Sequence, residues 1–158
     1  MGDVFRRFGP YVARIALRLL GRVDEVEDVV QDVFLAATGS IHQLQEPEAI
    51  KGWLAAITVR TCARRLRMRR LKRWFAFDDA PDYERIPAPG ANAEQRALLG
   101  QVYRALDRVP VGPRVAWTLR YVDAEPLETI AARCDCSVAT VKRRIAEAEA
   151  RLEKEFRS

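Results

Sequence analysis

Eight of the fourteen residues from Arg60 to Arg73, in the stretch RTCARRLRMRRLKR, are Arg or Lys, and none is acidic. Cations at this density neutralise phosphates. Binding of that kind is strong and salt-sensitive and carries little sequence information of its own. Aromatic residues bracket the run, with Trp53 before it and Trp74, Phe75 and Phe77 after it. Aromatic faces beside cations suit the stacking of single-stranded bases. The same aromatics would also serve as core or inter-domain packing, and the sequence leaves that choice open.

A second cationic group sits in TIAARCDCSVATVKRR, Thr129 to Arg144. Ser137 is placed as a helix N-cap, its hydroxyl accepting from a free first-turn N–H. Val138, Val141, Ile145, Ala148 and Leu152 then share one stripe at helical spacing. Ala139, Thr140 and Arg143 lie opposite, flanked by Lys142 and Arg144. Leu127, Ile130 and Ala131 of the preceding helix can pack on the stripe, with Asp135 in the turn, where Asp tolerates a left-handed conformation. The pattern is a helix-turn-helix whose second helix can read base edges in a major groove. Arg contacts guanine bidentately, and Thr and Ala suit thymine methyls. A plain helical hairpin with a solvated basic face would show much of the same pattern.

Acids are segregated from these cations. Arg22 to Ala36 holds five acids against one Arg, and Asp78 to Glu84 holds four acids and no base. In the first segment Val26, Val29, Val30, Val33, Phe34 and Ala37 form an apolar stripe, while Asp28, Gln31 and Asp32 face away with Leu35 among them. A leucine set among acids suggests a protein-binding surface, although a single exposed Leu proves little. Divided charge of this kind points to separate surfaces for separate partners, one of them a polyanion.

The elements that must position these groups are helices. The chain has 158 residues, 49% hydrophobic and 31% charged, with pI about 9.4 and net charge +5. Apolar residues recur at three- and four-residue steps and strand signals are nearly absent. Helices are predicted at Val4–Leu20, Val23–Thr38, Glu48–Trp74, Ala93–Arg108, Gly112–Tyr121, Pro126–Cys134 and Ser137–Phe156, with Pro126 in the first turn of its helix. The fold class is all-α: two small helical domains, 1–74 and 93–158, joined by a flexible acidic linker, FAFDDAPDYERIPAPGAN, at 75–92. Three cysteines and one histidine provide neither a disulfide framework nor a zinc set. The thiols read as small buried hydrophobes. No metal, cofactor, catalytic residue or small-molecule substrate is expected. No apolar run is long enough for a membrane span and no signal peptide opens the chain, so a cytoplasmic protein is expected.

Taken together, these segments resemble the extracytoplasmic-function (ECF) sigma factors of the sigma-70 class, over nearly the whole chain. EDVVQDVFLAA is similar to the family's region 2 helix that grips core RNA polymerase. WLAAITVRTCARRLRMRR is similar to the segment that opens and reads the minus-ten element. The stretch from ALDRVP to AEARL is similar to region 4 and is the most specific of the three matches. The resemblance implies an all-α transcription initiation factor, not an enzyme, that binds core polymerase, directs it to promoters and assists strand opening. It assigns Asp28, Gln31, Asp32 and Leu35 to core polymerase. It assigns Arg60, Thr61, Arg64 and Arg65 to the minus-ten strand, and Ser137, Thr140, Lys142, Arg143 and Arg144 to the minus-thirty-five element. The loop Ile41–Lys51 would hold a base flipped from the non-template strand. Promoter DNA, duplex and single-stranded, is thus an implied partner, and an anti-sigma factor is a further one.

Two positions depart from the family pattern. Arg60 stands where Asn is frequent, which puts the usual minus-ten preference in doubt. Asp135 and Cys136 occupy the turn where Gly and an aliphatic residue are usual. The 18-residue linker, at roughly 3.3–3.6 Å per extended residue, reaches about 60–65 Å. At about 3.4 Å per base pair, that spans roughly 18 base pairs. The acidic stretch Asp78, Asp79, Asp82 and Glu84 could instead shield the basic helix in the free chain. The competing reading is a helix-turn-helix regulator that binds duplex DNA alone, with the acidic helix as a dimer face.

Overall fold

The computed structural model describes residues 2–75, 83 and 87–157. Seven α-helices are present among them: α1 (Gly2–Leu20), α2 (Val26–Ser40), α3 (Ile50–Trp74), α4 (Ala93–Leu106), α5 (Val111–Tyr121), α6 (Leu127–Cys134) and α7 (Val138–Arg157). Short 3₁₀ turns lead into α2 at Val23–Glu25 and into α3 at Pro47–Ala49, and a third follows α2 at Ile41–Gln43. The predicted start of α2 at Val23 and of α3 at Glu48 therefore each correspond to a tighter turn, as is common at helix ends. Pro126 lies one position outside α6, as its N-cap with ψ 152°, rather than in the first turn.

Helices α1, α2 and α3 pack on one another. Val12, Ile15, Ala16 and Leu19 recur every three or four residues along α1 and are buried against Val29, Val33 and Ala37 of α2 and Leu54, Ile57 and Leu66 of α3. Burying each of the Val, Leu and Ile side chains among these contributes about 1.5–3 kcal/mol. In the second half α5 packs on α6 and α7, and α4 on α7. Asn92 caps α4 reciprocally: its side chain accepts from the Gln95 N–H at 2.8 Å, and the Gln95 side chain accepts from the Asn92 N–H at 3.0 Å.

The two halves are docked. Helix α3 packs on α5 and α6, and α1 reaches α5. Val111, Val115, Ala116 and Leu119 of α5 and Ile130 and Ala131 of α6 belong to the same continuous apolar core as the first three helices. Tyr103 of α4 lies against Gly21, whose φ of +69° ends α1; a Cβ there would stand 2.5 Å from the Tyr103 ring. The Tyr103 hydroxyl donates to the Arg18 carbonyl at 2.5 Å.

A buried polar cluster closes the same seam. The Asp107 carboxylate, just past α4, pairs with Arg114 of α5 at 2.7 Å and with Arg73 of α3 at 3.1 Å; Arg69 of α3 stands at 3.9 Å. Arg69 also pairs with Glu25, and Arg114 donates to the Leu19 carbonyl at 3.2 Å. Arg70 donates to the Val109 carbonyl at 2.7 Å. Tyr83, within the stretch read as a flexible linker, is 1% exposed, stacks on Tyr103 and donates to Asp107. Neither this anchor nor the shared core is signalled by the local sequence pattern.

Candidate nucleic-acid interface

The helix pair α6–α7 is built as its sequence suggested. Ile130 and Ala131 of α6 and Val141, Ile145, Ala148 and Leu152 of α7 are buried, with Leu127 and Val138 packed partly against them. Between the helices Asp135 takes a left-handed conformation, φ 52° and ψ 52°, and the Cys136 N–H donates back to the Ala131 carbonyl at 3.0 Å. Asp thus occupies the position usually given to Gly without changing the turn. Ser137 caps α7, accepting from the Thr140 N–H at 3.1 Å, and its hydroxyl donates to the Thr140 hydroxyl at 3.0 Å. These two hydroxyls are therefore engaged with each other. Lys142 and Arg143 project into solvent, whereas Arg144 is half-buried and turns toward Cys136 Sγ at 3.7 Å.

On α3, Arg60 and Arg64 are exposed and form no hydrogen bond or ion pair with a described residue. Arg65 pairs with Asp32 of α2 at 3.4 Å. Thr61 is buried, and its hydroxyl donates to the Ile57 carbonyl one turn back at 2.8 Å, which aims it inward. Of the bracketing aromatics, Trp53 packs against the core, while Trp74 and Phe75 are 86% and 63% exposed. Phe77 and the acids Asp78, Asp79, Asp82 and Glu84 lie outside the described residues.

The acidic helix α2 presents Asp28, Gln31, Asp32 and Leu35 on one exposed face at i, i+3, i+4 and i+7. Leu35 is 72% exposed, the largest value among the large aliphatics of the described residues. The loop from Ile41 to Lys51 is mostly exposed, and part of it lines an open groove of about 570 Å³ with Trp53 and with Thr129 and Arg133 of α6.

Docking of the halves brings part of each cationic group together, with Lys142 and Arg143 left outside. Arg60, Arg64 and Arg67 of α3, Arg133 of α6 and Arg144 of α7 line one cavity of about 300 Å³. Arg67 and Arg133 were not singled out in the sequence. Membership of the cationic run could have flagged Arg67; Arg133 belongs to the first helix of the pair, and only the docking places it here.

Burial pushes the Cys62 thiol up to about 12 and the Cys134 thiol up to about 11. Both are protonated near neutrality, in keeping with packing rather than thiolate chemistry. Among the described residues no group of His, Cys, Asp and Glu is arranged to hold a metal ion, and no helix is long and apolar enough to cross a membrane.

Comparison with known proteins decides the family. Sigma-70 region 2 matches residues 4–72 and Sigma-70 region 4 matches residues 99–152. The chain belongs to the ECF sigma factors of the sigma-70 family. It is 31% identical over 147 residues to the ECF RNA polymerase sigma factor SigE of Mycolicibacterium smegmatis, covering 90% of this chain and 56% of that protein. It is also 31% identical over 148 residues to the ECF RNA polymerase sigma-E factor of Escherichia coli K12, covering 88% of this chain and 77% of that one. The chain thus spans little more than half the length of the first of these relatives. Among solved structures, the sigma factor RpoE of Bartonella quintana, crystallised with the anti-sigma factor NepR, superposes with a TM-score of 0.72 at 23% identity, over 99% of this chain and 98% of that one. CnrH, solved with the cytosolic domain of CnrY, gives 0.63 at 23% identity over 98% and 86%. At these identities the two structures speak to the fold. In this ECF sigma factor the region 2 match falls on α1–α3, and the region 4 match runs from within α4 into α7.

Proposed function

We infer that this chain is a promoter-directing transcription initiation factor: it binds core RNA polymerase through α2 and contacts promoter DNA twice, through α3 and through α7. The observation that carries this reading is the placement of unpaired cations on two helices that belong to separate sigma regions. Arg60 and Arg64, with Arg65, face the minus-ten strand. Lys142 and Arg143, with Arg144, face the minus-thirty-five duplex, where the Ser137 cap and the Thr140 hydroxyl fix the start of α7. Thr61 acts through packing, because its hydroxyl is spent inside α3. The exposed face Asp28, Gln31, Asp32 and Leu35 meets the polymerase. Such a factor works in the cytoplasm, has no catalytic step of its own, and is a natural target for an anti-sigma protein.

In the free chain Arg60 and Arg64 of the minus-ten group and Arg144 of the minus-thirty-five group line one cavity. They cannot then touch two elements more than a helical turn apart. Promoter engagement therefore requires α3 to part from α5 and α6, with the 75–92 segment spanning the gap. This opening breaks the pairing of Asp107 with Arg73 and exposes the apolar seam.

The test is a pair of separable losses. Lys142→Ala with Arg143→Ala should weaken the upstream footprint of the polymerase complex at least tenfold and leave capture of core polymerase unchanged. Asp28→Ala with Leu35→Ala should reduce that capture at least tenfold. A footprint or a capture at wild-type strength in the corresponding variant contradicts the assigned role. A footprint formed by the free chain without polymerase favours the stand-alone regulator.

A further inference from the structure

The cavity between α3, α5, α6 and α7 is lined by five arginines and by no acidic side chain. Three of them, Arg60, Arg64 and Arg67, come from region 2, and Arg133 and Arg144 come from region 4. Arg60, Arg64 and Arg67 have no hydrogen-bond or ion-pair partner among the described residues. Arg133 is partly committed, to Glu125 at 2.7 Å and to the Tyr11 hydroxyl at 3.2 Å. Arg144 has only Cys136 Sγ at 3.7 Å. The first turn of α5 also lines the space, and Gly112 leaves room there for the Arg144 side chain, since a Cβ would stand 3.3 Å from its Nε. The positive end of the α5 dipole thus adds to the same field.

We propose that this cavity is a binding site for a compact polyphosphate, either an inorganic chain or the phosphates of a nucleotide, and that its occupation holds the two sigma regions together. Arg60, Arg64, Arg67 and Arg144 converge with no carboxylate partner among the described residues and repel one another across the seam, whereas Arg133 is paired with Glu125; a bound anion would offset that repulsion. Arginine forks bind phosphate oxygens bidentately, which favours several linked phosphates over a single carboxylate. A volume of about 300 Å³ suits a small molecule and excludes a duplex. The arginines are contributed by both halves, so only the closed form presents the full set. A ligand that binds one of two states shifts the population toward it, and the shift grows with ligand concentration. Arg60, Arg64 and Arg144 are also assigned above to promoter DNA. Competition with DNA rests on that reading; binding of the polyphosphate does not.

The experiment titrates the full chain with sodium tripolyphosphate by calorimetry, and follows closure by fluorescence energy transfer between dyes on the two regions. Expected are one tripolyphosphate per chain, a raised thermal midpoint, and higher transfer at saturation. Arg67→Ala with Arg144→Ala should weaken binding at least tenfold while circular dichroism shows the helices intact. Arg67→Lys tests charge against geometry and should fall between the two. ATP and GTP without magnesium, beside tripolyphosphate, report whether a nucleoside adds affinity, and sulfate at matched ionic strength controls for screening. Absence of saturable binding, equal binding by the double variant, or equal thermal stabilisation by sulfate overturns the site. If binding holds and promoter-directed transcription fails, the site stands and the competition alone is lost.

Discussion

The phenolic oxygen of Tyr83 lies 2.6 Å from both carboxylate oxygens of Asp107. One residue comes from the segment between the regions and the other from the junction of α4 and α5, yet together they sit at the seam where α3 meets region 4. Arg69 and Arg73 approach from α3 and Arg114 from α5. Asp107 is the anion common to all three, and its side chain is 7% exposed.

Removing that anion leaves the buried Arg114 without a carboxylate partner, while Arg69 keeps Glu25. Asp107→Asn should lower stability by about 3–5 kcal/mol, the cost of breaking a buried pair from one side. Tyr83→Phe removes the donor to Asp107 and an acceptor for Arg69 at 3.3 Å, and should lower it by at least the roughly 1.5–3 kcal/mol of one hydrogen bond to a charged group. Denaturant unfolding measures both. Small-angle scattering should show a larger radius of gyration for Asp107→Asn. Stability within about 0.5 kcal/mol of wild type, the range of ordinary surface changes, would refute the role given to the cluster.

Gly21 is a second point on the seam. Gly21→Ala puts a Cβ into the Tyr103 ring and forces a non-glycine residue to φ +69°. The left-handed conformation alone costs about 1–2 kcal/mol, and displacement of Tyr103 adds to it. Loss of energy transfer between the regions, together with a lowered thermal midpoint, is the expected outcome. A variant as closed and as stable as the parent contradicts it.

Alkali should open the same contacts. Burial pushes Tyr83 and Tyr103 up to about 12 from an ordinary value of 10.0. Each is more protonated in the folded state, so its contribution is fully present below about pH 10 and is lost as pH rises through about 12. Within that window stability should fall by about 1.4 kcal/mol per pH unit for each tyrosine. Tyrosinate absorbance, followed with denaturant midpoints, checks the sign. Stability that rises across this window contradicts the prediction.

The turn before α7 yields a local test. Ser137→Ala removes the cap and should cost about 1 kcal/mol. Asp135→Gly relieves the left-handed strain and should leave stability level or slightly raised, whereas Asp135→Ala should lower it. Thermal unfolding of the three variants ranks them. Ala at 135 proving as good as Gly would contradict the observed backbone.

The parts of this molecule legible from sequence are those set by local period. The α7 stripe from Val138 to Leu152, the Ser137 cap, and the single exposed face Asp28–Leu35 all follow from side chains three and four apart on one helix. What escaped has no local period. Tyr83 stands in a Pro- and Asp-rich stretch that reads as solvent-exposed. Arg69 and Arg73 look like two more cations in a solvated run, yet they turn toward Asp107. Arg114 and Asp107 pair across a helix junction, and their burial depends on region 2 docking there. Thr61 and Arg60 are neighbours, and only the angle around α3 separates a buried back-bonded hydroxyl from an exposed cation.

The measurement that bears most directly on the whole account is transcription in vitro by purified core RNA polymerase on fragmented genomic template, with and without this chain, with every 5′ end mapped. The account predicts a set of starts that occurs only with the chain. Their upstream DNA should share two elements, and they should be lost with Lys142→Ala plus Arg143→Ala. The same starts at the same strength in the absence of the chain would contradict it.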